Sequence, residues 1–188
     1  MYVAGIDEVG RGPLAGPVSV GVVWVLKDVD LKEKFPLLND SKKLSEKRRE
    51  DIYEKALKDT DISYVVMSTS AEDVDEKGIE WSIKDAITRC CEKIPKDTFV
   101  YLDGRLHAPK TFKQETVIGG DAKIPAISLA SIMAKVERDR YMKKLSLEYP
   151  QYGLHKHKGY GTKMHMEAIA EYGLSSIHRA SFCRRIVG

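Results

Sequence analysis

The chain is short of cysteine. Its 188 residues include only Cys90, Cys91 and Cys183. An odd number with two adjacent does not build a disulfide framework, so a reducing compartment, the cytoplasm, is the expected home. Neither a C-x2-C pair nor an H-E-x-x-H pattern occurs, and no zinc site is announced. Long apolar runs are also lacking: the longest, around Val18–Leu26, is far too short to cross a bilayer, and no membrane partner is expected. No basic segment leads into an apolar stretch and a cleavage site, so no signal peptide is expected. The P-loop pattern G-x-x-x-x-G-K-[ST], internal repeats and low-complexity segments are all missing. Neither sign of charge dominates, with 31 basic and 28 acidic residues giving a net +3.

The placement of that charge says more. From His155 to Gly188 there are six basic residues against Glu167 and Glu171, a surplus of four that leaves the rest of the chain at −1. A basic end with an acidic start points to a polyanion held in one place and processed in another, although charge alone fits a solvated surface equally well.

Apolar patterning predicts strands over Tyr2–Ile6, Pro17–Leu26, Ile62–Ser68, Asp97–Leu102 and, more weakly, Gln114–Ile118. Ser45 caps a helix through Lys58, and Ser70, with Asp73 three residues on, opens a long helix reaching about Lys93. Further helices are predicted from about Ala126 to Glu148 and from Thr162 to Gly173. This order implies one α/β domain over 1–188 with a mixed sheet. The first two strands connect too tightly to be parallel.

The stretch GIDEVGRGP sets Asp7 and Glu8 side by side after an apolar run. Asp103 follows the strand FVYL, and Asp121 follows Gly119-Gly120. Singly, Asp103-Gly104 reads as a turn and Asp121 as a helix cap. The adjacent pair is harder to dismiss, because unpaired charge at the end of a buried strand is costly. Oxygen ligands alone favour a hard cation, Mg²⁺ or Mn²⁺, and four carboxylates suit two such ions clamping a phosphodiester. Neighbouring strand residues point to opposite faces, so both acids reach one site only if the strand ends or bulges there, which Gly10 and Gly12 permit. Gly10-x-Gly12-x-x-Ala15 formally matches a dinucleotide fingerprint, but Pro13 and Pro17 lead into a β-branched run where a helix should follow.

Six stretches, taken in order, resemble the type 2 ribonucleases H, the ribonuclease HII family: IDEVGRGPLAGPV, DSKKLSEKRRE, LDG, GGDAKIPAISLASIMAKVERD, HKGYGT and SIHRASF. The resemblance implies a ribonuclease H-like fold, a five-stranded mixed sheet flanked by helices, with a basic helical segment from about residue 150 contributing to substrate binding. It implies an endonuclease for RNA/DNA hybrids and for duplex DNA containing single ribonucleotides, cutting on their 5′ side. The family's metal quartet falls on Asp7, Glu8, Asp103 and Asp121, and its junction-sensing motif on Gly10, Arg11 and Gly12. Tyr160 matches a tyrosine that packs on the deoxyribose beside the ribonucleotide. Lys42, Lys43, Ser128, Ser131, Lys158, His178, Arg179 and Ser181 match positions of phosphate contacts or of the site wall. Ala180 stands where many relatives carry a second Arg, which implies one phosphate contact fewer. Ser128, Ser131 and Lys135 share one helical face. A monomer is expected.

Two other readings compete. A binding module without chemistry accounts for the basic end but not for the acids. Another nuclease of the same superfamily accounts for the acids but not for Gly10-Arg11-Gly12 and Tyr160.

Overall fold

Alternating apolar residues make β1 (Tyr2–Val9) two-faced, and it lies at the centre of a five-stranded sheet ordered β3-β2-β1-β4-β5. Its neighbours are β2 (Val18–Leu26), β3 (Ser63–Thr69), β4 (Phe99–Asp103) and β5 (Lys113–Val117). The β1–β2 and β2–β3 pairs are antiparallel, while β1–β4 and β4–β5 are parallel. The sheet is therefore mixed, with the antiparallel edge that the short β1–β2 connection requires. These relations come from a computed structural model that describes residues 1–38 and 44–187.

Eight α-helices accompany the sheet among the described residues: α1 (Leu31–Lys34), α2 (Glu46–Lys58), α3 (Ala71–Lys77), α4 (Ile79–Cys91), α5 (Pro125–Glu148), α6 (Leu154–His157), α7 (Lys163–Tyr172) and α8 (Ala180–Val187). Ser45, Ser70 and Thr162 cap α2, α3 and α7 with their side chains, as their positions predicted. The single helix expected from Ser70 to about Lys93 is instead α3 and α4, separated by Gly78 at φ 85°. A left-handed residue ends one helix and starts the next. One short helix escaped prediction, α1, capped by Asp30; α6 and α8 fall within the helical segment expected from about residue 150.

On one face of the sheet Ala4, Ile6, Val20, Val22, Val100 and Leu102 pack against Ile83, Ala86, Ile87 and Cys90 of α4. On the other face α5 lies across β1 and β2. Gly5 and Gly21 make this possible: a Cβ on Gly5 would stand 2.1 Å from the Ala126 carbonyl carbon, and one on Gly21 2.4 Å from the Ala130 oxygen. A third core gathers Met142 and Leu145 of α5 with Tyr152, Leu154, Ile169 and Cys183, seating α6, α7 and α8 beside the end of α5.

The first strand departs from expectation in one respect that bears on the site. It does not end or bulge at the acids. Its register against β2 is regular through Asp7↔Gly21, Glu8↔Val20 and Val9↔Ser19. The apolar run of β2 is long enough to pair with all of it, so continuing the ladder keeps those backbone groups bonded. Asp7 and Glu8 consequently point to opposite faces.

Candidate active site

The sheet brings the acids to the carboxyl ends of its two central parallel strands. Pairing of β1 with β4 runs to Ile6↔Leu102, so Asp7 and Asp103 are the next residues on adjacent strands. By strand alternation they share the face covered by α5. Glu8 leaves β1 on the other side but still lines one cleft with Ser131 and Lys135 of α5, so the acids border one region without the strand ending or bulging. Asp121 sits on a buried 3-10 turn between β5 and α5, and that turn is tied to β4 because the Gly120 N–H donates to Asp103 Oδ1 at 2.6 Å.

Electrostatics records the gathering. Burial first, and then the charges of Glu8 and Asp103, raise the Asp7 carboxyl to about 7 against a hydrogen bond from Ser131 that lowers it. Burial also raises Glu8, with Asp103 adding to the rise and Arg11 opposing it. Among the described residues, no three Asp, Glu, His or Cys side chains already stand in a metal-holding group. Asp7 engages the Glu8 N–H and Ser131 instead, Glu8 the Arg11 guanidinium at 3.4 Å, and Asp103 the Gly120 N–H. The donor set still fits a hard divalent cation. It is all oxygen, and like charges forced together raise an acid's pKa until a cation or a proton relieves them.

Beside the acids is a cleft of about 380 Å³ lined by Glu8, Gly10, Arg11, Gly12, Arg49, Ser131, Lys135 and Tyr160 among others. It unites two sequence-distant stretches that the resemblance had linked. Gly10 takes φ 86°, and a Cβ there would lie 2.2 Å from Arg138 Nε. Tyr160 is 41% exposed, leaving its ring open to a ligand, with Lys135 Nζ 5.7 Å from the ring centre. Arg11 reaches both Glu8 and Glu80. From the small-residue face of α5, Ser131 bonds Asp7 and Ser128 donates to the Asp121 carbonyl. Arg49 is a cleft residue that sequence reasoning missed, and its place on α2 gives no signal of it.

Several other expected contacts lie elsewhere. Arg179 is fully buried, and its guanidinium donates to the carbonyls of Gly16, Arg11 and Gly10 at 3.0, 3.1 and 2.7 Å. It supports the glycine loop from beneath rather than facing a phosphate. His178 is buried, held by Ser175 and by His165 Nε2 at 3.2 Å within the core. Lys158 is buried too and donates to the His155 carbonyl at 2.6 Å. Ser181 binds Asp75, which also accepts from the first backbone N–H groups of α8. Lys42 and Lys43 lie outside the described residues.

A mixed sheet with acids at the ends of its central strands, under a long crossing helix, defines a nuclease of the ribonuclease H-like fold. The profile of the family described as Ribonuclease HII matches residues 4–185, and the chain belongs to that family. Ribonuclease HII of Endomicrobium trichonymphae is 47% identical over 96% of this chain and 84% of its own. That of Aliarcobacter butzleri is 44% identical over 98% and 92%. Among solved structures, the ribonuclease H2 of Pyrococcus horikoshii OT3 superposes with TM-score 0.77 at 29% identity, over 100% of this chain and 97% of that one. The RNase HII of Archaeoglobus fulgidus, solved in complex with PCNA, gives 0.77 at 28%, over 99% and 95%. The chain is thus an enzyme, an endonuclease of the ribonuclease H type. Among its described residues no helix is long and apolar enough to cross a membrane.

Proposed function

We propose that this protein hydrolyses the RNA strand of RNA/DNA hybrids and incises duplex DNA on the 5′ side of a single embedded ribonucleotide, acting as a cytoplasmic monomer. The observation that carries the reading is the juxtaposition of the acid cluster with the cleft between Gly10-Arg11-Gly12 and Tyr160. A site that only cut phosphodiesters needs no close-approach glycines and no open aromatic ring next to its acids.

Asp7, Glu8, Asp103 and Asp121 would hold two Mg²⁺ or Mn²⁺ ions. Such ions, when bound, generate the attacking hydroxide and neutralise the departing 3′ oxygen. The protein's own part is orientation. Gly10 and Gly12 let the backbone come close to a ribose 2′-OH. Arg11 is placed to pair with a phosphate. Tyr160 stacks on the neighbouring deoxyribose, where a 2′-OH would obstruct it. Ser131 fixes the Asp7 carboxylate. The products carry 3′-OH and 5′-phosphate ends.

The test is a DNA duplex with one ribonucleotide, incubated with Mg²⁺ or Mn²⁺. Incision on the 5′ side of the ribonucleotide is expected, with none on all-DNA duplex and a loss of at least about a hundredfold in Asp103→Asn. Equal cutting of the all-DNA duplex would overturn junction recognition.

A further inference from the structure

Two arginines lie entirely inside the molecule beneath the cleft, Arg138 at 1% exposure and Arg179 at 0%. Buried arginines usually pair with carboxylates. These two instead direct their forks at backbone carbonyls of the loops that form the cleft walls. Arg179 takes Gly10, Arg11 and Gly16. Arg138 spans both walls: its Nε and Nη2 donate to Pro17 and Ala15 on the glycine loop, at 2.9 and 3.3 Å, and its Nη1 donates to the Lys158 carbonyl at 3.0 Å, two residues before Tyr160. The walls are also joined directly, the Leu14 N–H donating to the Gly159 carbonyl at 2.8 Å, and the Arg179 N–H returns to the Leu14 carbonyl at 2.8 Å.

Behind the tyrosine a line of histidines continues the frame. His165 Nδ1 lies 3.0 Å from the Tyr160 carbonyl, which only accepts, so Nδ1 carries the proton. Its Nε2 then accepts from His178 Nε2 at 3.2 Å. His178 Nδ1 in turn accepts from the Ser175 N–H at 3.1 Å. The chain leads back to Arg179, the residue after His178.

We propose that Arg138 and Arg179 are positioning residues that fix Gly10-Arg11-Gly12 at one spacing from Tyr160, and that this spacing sets the preference for a lone ribonucleotide over a uniform hybrid. The inference rests on the reading of the cleft given above. In a uniform hybrid every register along the cut strand presents a 2′-OH, so a loosened cleft still finds one. In a duplex with a single ribonucleotide only one register places the 2′-OH against the glycines and a deoxyribose against Tyr160. Error in spacing therefore weighs more on that substrate. Lysine keeps the charge but has one compact donor in place of a rigid fork, and cannot reach three carbonyls at once.

The measurement is the ratio of kcat/KM for single-ribonucleotide duplex to kcat/KM for uniform hybrid, in wild type, Arg138→Lys and Arg179→Lys. Both substrates are read on the same preparation, so a loss of folded fraction cancels from the ratio. Each variant is expected to lower it by roughly tenfold or more. A ratio within about twofold of wild type in both variants overturns the inference and leaves the reading of the cleft standing. Wild-type protein that cuts neither substrate overturns that reading and the inference with it.

Discussion

Asp7 shows how a single side chain carries the conflict at the centre of this site. Its carboxyl sits at about 7 in the folded protein against 3.8 for a free one. Well below pH 3.8 it is protonated in both folded and unfolded states and costs nothing, and at pH 4 the cost is still small. As pH rises toward 7 the unfolded chain ionises first, so stability falls, and above 7 the cost is complete. Replacing Asp7 by Asn removes this dependence. Without divalent cations, Asp7→Asn is expected to be more stable than wild type at pH 8, by on the order of 2 kcal/mol, and indistinguishable from it near pH 4. Thermal melts at the two pH values measure this, and a variant less stable at pH 8 contradicts it. The four acids could be picked out in the sequence because local chemistry marks them, charge after an apolar run or after paired glycines, whereas Gly10, Arg11, Gly12, Ser131 and Tyr160 were named only through the resemblance of their motifs. Arg138 and Arg179 could not be assigned that way. Their partners lie 121 and 163 residues away along the chain, and nothing local distinguishes an arginine that binds a distant carbonyl from one that meets a phosphate.

At the scale of elements, α5 does the assembling. Its serines reach Asp7 and Asp121 only because Gly5 and Gly21 let the helix down onto the sheet. Gly21→Ala forces a methyl against the Ala130 oxygen and the Ala134 side chain, and is expected to cost about 2–3 kcal/mol and roughly 5–10 °C in melting temperature. Gly12→Ala, with nothing within 4 Å of a new Cβ, should leave the melting temperature nearly unchanged. Equal losses in a side-by-side melt would mean the close approach of α5 is not what Gly21 provides. The strands and the capped helices were legible because periodicity and caps are local signals. The break at Gly78 was not, since one glycine inside a helical pattern is ordinarily tolerated. The extension of β1 to Val9 was set by the length of its partner β2, which the residues of β1 do not encode.

The whole molecule joins an acid cluster at the sheet's end, a cleft beside it and two buried arginines that tie the cleft walls together. The fold class followed from the order of elements, and the family from six ordered motifs spread over the chain. The seating of α6, α7 and α8 did not follow, because it depends on packing against the far end of α5. The central claim is that Asp7, Glu8, Asp103 and Asp121 act as one cation-holding set although β1 runs straight through the first two. Calorimetric titration of Mn²⁺ into wild type and Asp103→Asn tests it most directly. Saturable binding to the wild type that weakens at least about tenfold in the variant is the predicted result; no binding, or binding that the substitution leaves untouched, would contradict it.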